Sequence, residues 1–197
     1  MQKLNQQPDI CPYFSPEFKV IPQYIIMKEG ECMELNNRTT SFFIFILSGE
    51  ITISFEQYTN RSVLENEMFF LPKNNCFKWK AVTQTVLILT GYNATIFPCT
   101  SVRARILYKI KAGVKFDCRG VVMKDEVKVV VNQMKHYLES GINCHHMYIL
   151  KHKELYLMFK HFYTYEEIIQ IFYLILGSNP LFNERVLDNY LKVKTRS

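Results

Sequence analysis

The sequence predicts an α+β protein in which a small sheet domain comes first and a helical segment follows. Between residues 23 and 91, apolar side chains either follow one another in short unbroken runs or alternate with polar ones, as in buried and half-buried strands. From about residue 124 onward, apolar side chains recur every three or four residues, as on one face of a helix. Glycine, proline and asparagine separate the short runs at close intervals, which favours a small sandwich or barrel.

Six strands are predicted in the sheet domain. They cover residues 23–27, 41–47, 50–56, 67–71, 76–82 and 85–90. The run 41–47 is almost wholly apolar, which predicts a strand buried on both faces. In 76–82, Phe77 and Trp79 alternate with two lysines, so one face is expected inside and the other in water. Ser48 and Gly49 predict a tight turn, and the polar stretch 57–62 predicts a loop.

Three helices and a short fourth are predicted after the sheet. The first, near residues 124–140, is ended by Gly141, and the second covers about 147–162. The third opens on the capping box formed by Thr164 and Glu167 and ends at Gly177. The fourth is suggested by Phe182, Val186 and Tyr190.

These elements divide the chain into an extended arm over residues 1–20, a sheet domain over 21–120 and a helical segment over 121–197. The arm is inferred from three scattered prolines and a lack of periodicity. The start of the chain is polar and the apolar runs are too short for a bilayer, so we expect a cytoplasmic protein without a membrane partner.

The net charge of +6 is concentrated between residues 100 and 135, where nine lysines and arginines face three acidic residues. A basic patch of this kind binds nucleic acid or an acidic partner in some proteins. The alternative is a solvated surface of alternating polarity. We favour the solvated surface over a binding patch, because no nucleic-acid motif and no aromatic stacking platform accompanies the charge.

The sheet domain contains no histidine, and the chain carries no recognised catalytic motif. All five histidines lie at or beyond His136, and the six cysteines are scattered without a Cys-x-x-Cys pair. No phosphate loop and no Gly-x-Ser-x-Gly motif occurs. Cys144, His145 and His152 could approach one another on a helix, but no further ligand has a fixed spacing, so we expect packing or surface histidines and free thiols. We predict no metal, no cofactor and no enzyme.

Two segments resemble known families. Leu47-Ser48-Gly49-Glu50, followed by Met68 to Pro72, looks like a cupin barrel. The helical segment resembles the connector of AraC-type transcription regulators of Bacteroides-like bacteria. The residues that carry this second resemblance are Cys144, Lys151, Lys153, Glu154, Leu155, Phe159, Tyr163, Glu166, Glu167, Phe172, Tyr173, Val186, Leu187 and the run Asn189 to Thr195.

The resemblance implies the sensory half of a regulator: a cupin-like barrel that binds a small-molecule effector, followed by a dimerisation and connector segment. In that family the segment after the connector binds DNA through helix-turn-helix units, so we expect DNA contact only through a unit that this chain lacks. The alternative is a stand-alone, metal-free cupin that binds or isomerises a sugar-like metabolite.

The expected effector site is the barrel interior, because ligand pockets are mostly apolar with a few polar groups. Trp79 is the strongest candidate, since indole has a flat apolar face and one N–H donor. The remaining candidates are Phe77, Phe43, Phe45, Phe55 and Tyr24. The alternative is that these aromatic side chains simply fill the barrel, as side chains commonly do in small barrels.

A homodimer is the expected assembly. Val127, Val131, Met134 and Leu138 follow one another at spacings of four and three, which is the seam that paired helices need. The alternative is that this seam packs on the barrel or on the next helix of the same chain. The family resemblance favours the dimer, because two-fold proteins match paired DNA half-sites.

Overall fold

The computed structural model describes residues 21–37, 40–56, 58–92 and 119–177, with side chains for all of these except 37 and 173–177. The predicted arm over 1–20, the basic stretch 100–118 and the helix suggested by Phe182, Val186 and Tyr190 lie outside these residues.

Nine strands and three helices occur in the part of the chain that the structure describes. The strands are β1 (Gln23–Met27), β2 (Cys32–Asn37), β3 (Ser41–Ser48), β4 (Glu50–Phe55), β5 (Tyr58–Leu64), β6 (Glu67–Leu71), β7 (Asn75–Ala81), β8 (Thr85–Tyr92) and β9 (Val121–Val122). The helices are α1 (Asp125–Glu139), α2 (His145–Phe162) and α3 (Tyr165–Gly177). None of these helices has the length and apolarity that crossing a bilayer requires.

The strands form two antiparallel sheets with the orders β1-β8-β3-β6-β9 and β2-β7-β4-β5. The chain therefore crosses repeatedly from one sheet to the other, and this order is that of a double-sheet jelly roll, the architecture to which cupins belong. The cupin-like expectation is confirmed at this level. The expected closed barrel is corrected to a sandwich, because the described strands pair within two separate sheets.

The five-stranded sheet is buried on both faces. In β3, Ile44 and Ile46 face the second sheet, while Phe43 and Phe45 face the helices, and all four are at most 4% exposed. The predicted double burial of this strand is confirmed. Two hydrophobic cores therefore lie on opposite sides of one sheet: an inter-sheet core and a sheet–helix core.

Helix α1 packs against α2 and reaches β1, and α3 lies over β6 and β9. The expected dimerisation seam is used inside the chain, because Val127, Val131 and Met134 are completely buried in the sheet–helix core and Leu138 packs against it. The structure thus corrects the assignment of these four residues to a dimer interface. Helical periodicity shows only that a face is apolar, and the outer face of the sheet covers this one.

Four features of the sheets differ from the predictions. The predicted loop over 57–62 is largely strand β5, an edge strand whose only fully buried side chain is Val63. Strand β2 was not predicted, since only Met33 and Leu35 alternate with its polar residues. The turn after β3 carries the chain between the two sheets and does not form a hairpin. Strand β9 also pairs with β6, so the sheet extends two residues into the predicted helical segment.

The predicted capping box at the start of α3 is confirmed. The Thr164 backbone N–H donates to the Glu167 carboxylate at 2.8 Å, and the Glu167 N–H donates to the Thr164 hydroxyl at 3.3 Å. Glu167 also pairs with Lys124 Nζ at 2.9 Å. Since Lys124 precedes α1, this carboxylate fastens the beginning of α3 to the beginning of α1.

Candidate functional site

The inter-sheet core is the first candidate for a ligand site. Its buried members are all hydrocarbon, thioether or aromatic side chains: Met27, Ile44, Ile46, Ile51, Ile53, Phe55, Val63, Phe69, Leu71, Phe77, Trp79, Ala81, Leu87 and Leu89. These apolar side chains can contact an apolar group, but they offer neither a general acid nor a general base.

Trp79 supplies the unusual polar atom of this core. It lies on β7 between Met33 of β2 and Ile53 of β4, and it is 1% exposed. Its indole Nε1–H has no hydrogen-bond acceptor within the structure described here. A buried donor without a partner costs about 1–3 kcal/mol. An acceptor on a bound molecule would remove that cost, which makes Trp79 the natural point of contact for a ligand.

The structure separates the six aromatic residues predicted to line the interior. Phe55, Phe77 and Trp79 lie between the sheets, with the ring centroids of Phe55 and Phe77 4.8 Å apart. Phe43, Phe45 and Tyr24 belong instead to the sheet–helix core. Their placement inside the barrel was wrong because a strand that is apolar on both faces does not indicate which face is the interior.

A metal of the kind held by cupin enzymes does not fit this interior. Such sites need imidazole and carboxylate ligands, whereas every histidine of the chain lies at or beyond His136, outside the strands that form the inter-sheet core. Among described residues, no three His, Cys, Asp or Glu side chains are grouped to hold a metal ion. Cys144, His145 and His152 accordingly form no such group.

A buried polar contact crosses the sheet–helix core. Thr90 Oγ of β8 and His152 Nε2 of α2 are hydrogen bonded at 2.8 Å, and the two residues are 0% and 6% exposed. The second ring nitrogen of His152, Nδ1, has no hydrogen-bond partner among the described residues. Burial, followed by the nearby charge of His145, lowers the pKa of His152 to about 4. The ring is therefore neutral at neutral pH and either donates to or accepts from the Thr90 hydroxyl.

Phe43, the cross-strand neighbour of Thr90, belongs to a group of aromatic rings that joins the sheet to two helices. The Phe43 ring centroid lies 5.5 Å from Tyr92, 5.8 Å from Phe159 of α2 and 6.2 Å from Phe172 of α3. Close-packed rings of this kind transmit displacement, because interiors have little free volume. A shift of β3 or β8 must therefore move α2 and α3 or break these contacts.

A second polar junction fixes the ends of the helices. The Tyr163 hydroxyl accepts the Lys124 backbone N–H at 2.8 Å and donates to the Val122 carbonyl at 3.1 Å. Burial raises the pKa of Tyr163 to about 12, so this hydroxyl keeps its proton at any physiological pH. The end of α2 is thus tied to β9 and to the start of α1.

Three of the six cysteines lie among the described residues. Cys32, Cys76 and Cys144 are free thiols, as predicted, and Cys32 and Cys76 are exposed. The Cys76 thiol donates to Glu34 Oε1 at 3.0 Å, and this hydrogen bond is the main cause that raises the pKa of Cys76. A raised thiol pKa disfavours the nucleophilic thiolate. Cys11, Cys99 and Cys118 lie outside the described residues.

No protein-family model matches this chain, and no curated protein matches it. Among solved structures, it is similar to the cupin domain of Schizosaccharomyces pombe Cnp3, with 19% identity, a TM-score of 0.37, and coverage of 42% of this chain and 59% of that one. It is also similar to a conserved protein of unknown function from Streptococcus pyogenes, with 19% identity, a TM-score of 0.34, and coverage of 36% and 62%.

A cupin superfamily protein from Desulfitobacterium hafniense is similar at 17% identity and a TM-score of 0.34, with coverage of 38% of this chain and 68% of that one. The chain spans about three-fifths of the length of the first two structures. The assignment to the jelly-roll architecture rests on the strand order itself.

Proposed function

We propose that this chain is the effector-sensing module of an AraC-type transcription regulator and not an enzyme. One observation carries the proposal: a single sheet separates an apolar inter-sheet core from a packed helical layer, and both of its faces are buried. A ligand that alters one face of such a sheet alters the contacts of the other. The resemblance of the helical segment to the AraC-type connector supplies the direction in which the signal would travel.

The proposed signal begins at Trp79. Phe55, Phe77 and Trp79 are buried between the sheets, so a molecule that binds there must displace side chains and shift the strands that carry them. Strands β3 and β8 then pass the shift to α2 through the Phe43–Phe159 contact and the Thr90–His152 hydrogen bond. In an AraC-type regulator, such helices would pass the shift to the DNA-binding unit.

The lining also limits the class of effector. Burying a charge without a partner is costly, and sugars carry more hydroxyl groups than one indole N–H can satisfy. The proposed effector is therefore a compact, uncharged, largely apolar molecule with one hydrogen-bond acceptor for Trp79 Nε1. The alternative role, isomerisation of a sugar-like metabolite, receives no support from these apolar side chains, which offer no proton donor or acceptor for catalysis.

The test uses the single tryptophan of the chain. Uncharged aromatic and aliphatic ketones, lactones and amides are screened by Trp79 fluorescence, and each hit is then followed by amide hydrogen exchange. We expect a hit to change the exchange of α1–α3 as well as that of β7. We also expect Trp79→Phe, which keeps an aromatic ring but removes the N–H, to weaken binding about tenfold, the value of one buried hydrogen bond. Isothermal titration calorimetry measures this affinity, because the variant has no tryptophan to report binding.

Two results would overturn the proposal. A hit that is converted to a product by the purified chain would make the protein an enzyme. A hit that protects β7 but leaves the helices unchanged would show that the sheet does not transmit the signal. As a functional check, the chain joined to a heterologous helix-turn-helix reader should place a reporter gene under control of the same hit.

A further inference from the structure

Two side chains of the edge strand β5, Tyr58 and Arg61, lie against each other. The Arg61 guanidinium carbon is 5.8 Å from the centroid of the Tyr58 ring, which is the distance of a cation–π contact. Side chains three residues apart normally point to opposite faces of a strand. Here Tyr58 pairs with Phe55 and Arg61 pairs with Ile53, so a bulge absorbs one extra residue and both side chains share the inner face of the sheet.

The bulge has a local cause. Asn60, which lies between the two residues, has a φ of 49°, a left-handed conformation that asparagine tolerates better than most residues. Its backbone N–H donates to Ser54 Oγ at 2.9 Å, which fastens the bulge to strand β4. Bulges often re-aim a side chain beside a functional site. This one turns a cation toward the space between the sheets.

Arg61 belongs to the same cross-strand row as Trp79. The row crosses all four strands of the sheet on its inner face, in the order Met33, Trp79, Ile53 and Arg61. The first three side chains form or contact the inter-sheet core, whereas Arg61 is exposed. The row therefore connects the candidate ligand contact, Trp79, to solvent at the edge strand.

A series of rings follows the same direction. The Tyr58 ring centroid lies 5.0 Å from that of Phe55, and Phe55 lies 4.8 Å from Phe77, the inner-face neighbour of Trp79 on β7. Tyr58 is half-buried, while Phe55 is 4% exposed. Tyr58 is thus the outermost ring of the series, and the Arg61 contact holds it in place.

We infer that Tyr58 and Arg61 form a gate through which a small molecule reaches the inter-sheet core. When the cation–π contact breaks, the Tyr58 ring turns away from Phe55 and opens the edge, without any change in the pairing of β4 with β5. A charged side chain on an edge strand also discourages pairing with another sheet, but that role needs only a charge and no ring. The inference rests on the proposed function for the use of the gate.

Acrylamide quenching of the single tryptophan tests the gate, because acrylamide is itself a compact, uncharged molecule with a hydrogen-bond acceptor. Arg61→Glu keeps a charge at the edge but removes the cation. It should raise the bimolecular quenching constant of Trp79 about two- to fivefold, the population shift that loss of an exposed cation–π contact produces. Tyr58→Ala should raise this constant further, and Tyr58→Phe, which keeps the ring, should match the wild type.

Leu35→Ala is the matched control. Leu35 is a half-buried side chain on β2, the opposite edge of the same sheet, and it packs against the same core, so its loss should leave quenching at the wild-type level. Equal quenching in wild type, R61E and Y58A overturns the inference, as does an L35A value as high as that of Y58A. Should Y58A fail to fold, R61E decides, since Arg61 is exposed and an unshifted emission maximum shows that Trp79 stays buried.

The experiment separates this inference from the proposed function. Acrylamide quenching needs no effector, so a failed effector screen leaves its outcome unchanged. A gate that fails this test leaves the response of the helices to an effector unchanged as well, because that response is measured by hydrogen exchange.

Discussion

Acid should destabilise this protein through His152, and the size of the effect follows from its burial. The pKa of this histidine falls from 6.5, its ordinary value in an unfolded chain, to about 4 in the folded protein. Near neutral pH both states hold a neutral ring. Below pH 6.5 the unfolded chain takes up a proton that the folded chain refuses until about pH 4. Stability therefore falls as the pH drops through this window and levels off below it.

The magnitude is obtained from the same two values. A difference of one pKa unit corresponds to about 1.4 kcal/mol of stability, so the drop from 6.5 to about 4 corresponds to roughly 3 kcal/mol. His152 is only 6% exposed, so solvent screening reduces this little. Because a typical domain has a free energy of unfolding of about 5–15 kcal/mol, the loss should be plain in a denaturation curve.

The assay is urea unfolding at several pH values between 7.5 and 3.5 for the wild type and for His152→Gln, which can still reach the Thr90 hydroxyl but does not titrate. We expect the variant to have the lower free energy of unfolding at pH 7.5. The difference between the two proteins should shrink by roughly 3 kcal/mol toward low pH, because only the wild type loses stability through His152 while other titrating groups contribute equally to both. His161→Gln is the control, since His161 is exposed on the same helix, and it should keep the wild-type pH slope.

A constant gap between wild type and H152Q over the whole range would refute the reasoning, because it would mean that His152 is as easily protonated in the folded state as in the unfolded one. His145 contributes to the low pKa of His152. The slope should therefore become somewhat shallower, and not vanish, in His145→Gln.

Three further changes test the packing. Glu167→Gln should lower the free energy of unfolding by about 1 kcal/mol, a typical loss for a helix cap. Hydrogen bonds from Thr164 and Lys124 lower the pKa of Glu167 despite partial burial, so the wild-type advantage should disappear once acid protonates this carboxylate. Urea unfolding at pH 7 and pH 3 measures both effects. Thr90→Val should cost about 1–3 kcal/mol by leaving His152 Nε2 unpaired, and a loss below about 0.3 kcal/mol would show that the bond is not formed in solution. Gly49→Ala should lower the melting temperature more than Gly30→Ala. Both glycines have φ near +80°, but only at Gly49 would a Cβ meet backbone and side-chain atoms of Gln84 and Thr85. Equal melting temperatures for the two variants would contradict this.

Local signals were enough to predict the helices. Helix α1 ends where Gly141 adopts a φ of 72°, and α3 begins at the Thr164–Glu167 capping box, as the residues indicated. The face of β7 was also predicted, because Phe77 and Trp79 alternate with Lys78 and Lys80 and one side of this strand is in water. Each of these features depends on residues within a few positions of one another.

Features that depend on distant partners were not predictable. Strand β2 is too polar to stand out, and it becomes a strand because β7 pairs with it. Strand β5 lies at an edge of its sheet, so most of its side chains remain polar and exposed. The contact between Thr90 and His152 joins residues 62 positions apart. A threonine in an apolar strand and a histidine on the apolar side of a helix were the only hints of it.

The sequence by itself determined that short strands precede amphipathic helices and that β3 is buried on both faces. Tertiary structure alone decided which face of β3 meets the other sheet, and so which phenylalanines lie beside Trp79 and which meet α2. It also decided that the apolar seam of α1 would be covered by its own chain while Leu150 and Leu157 of α2 would face water. The physical reason is that periodicity reports how apolar a face is, whereas its partner is set by how whole sheets and helices pack together.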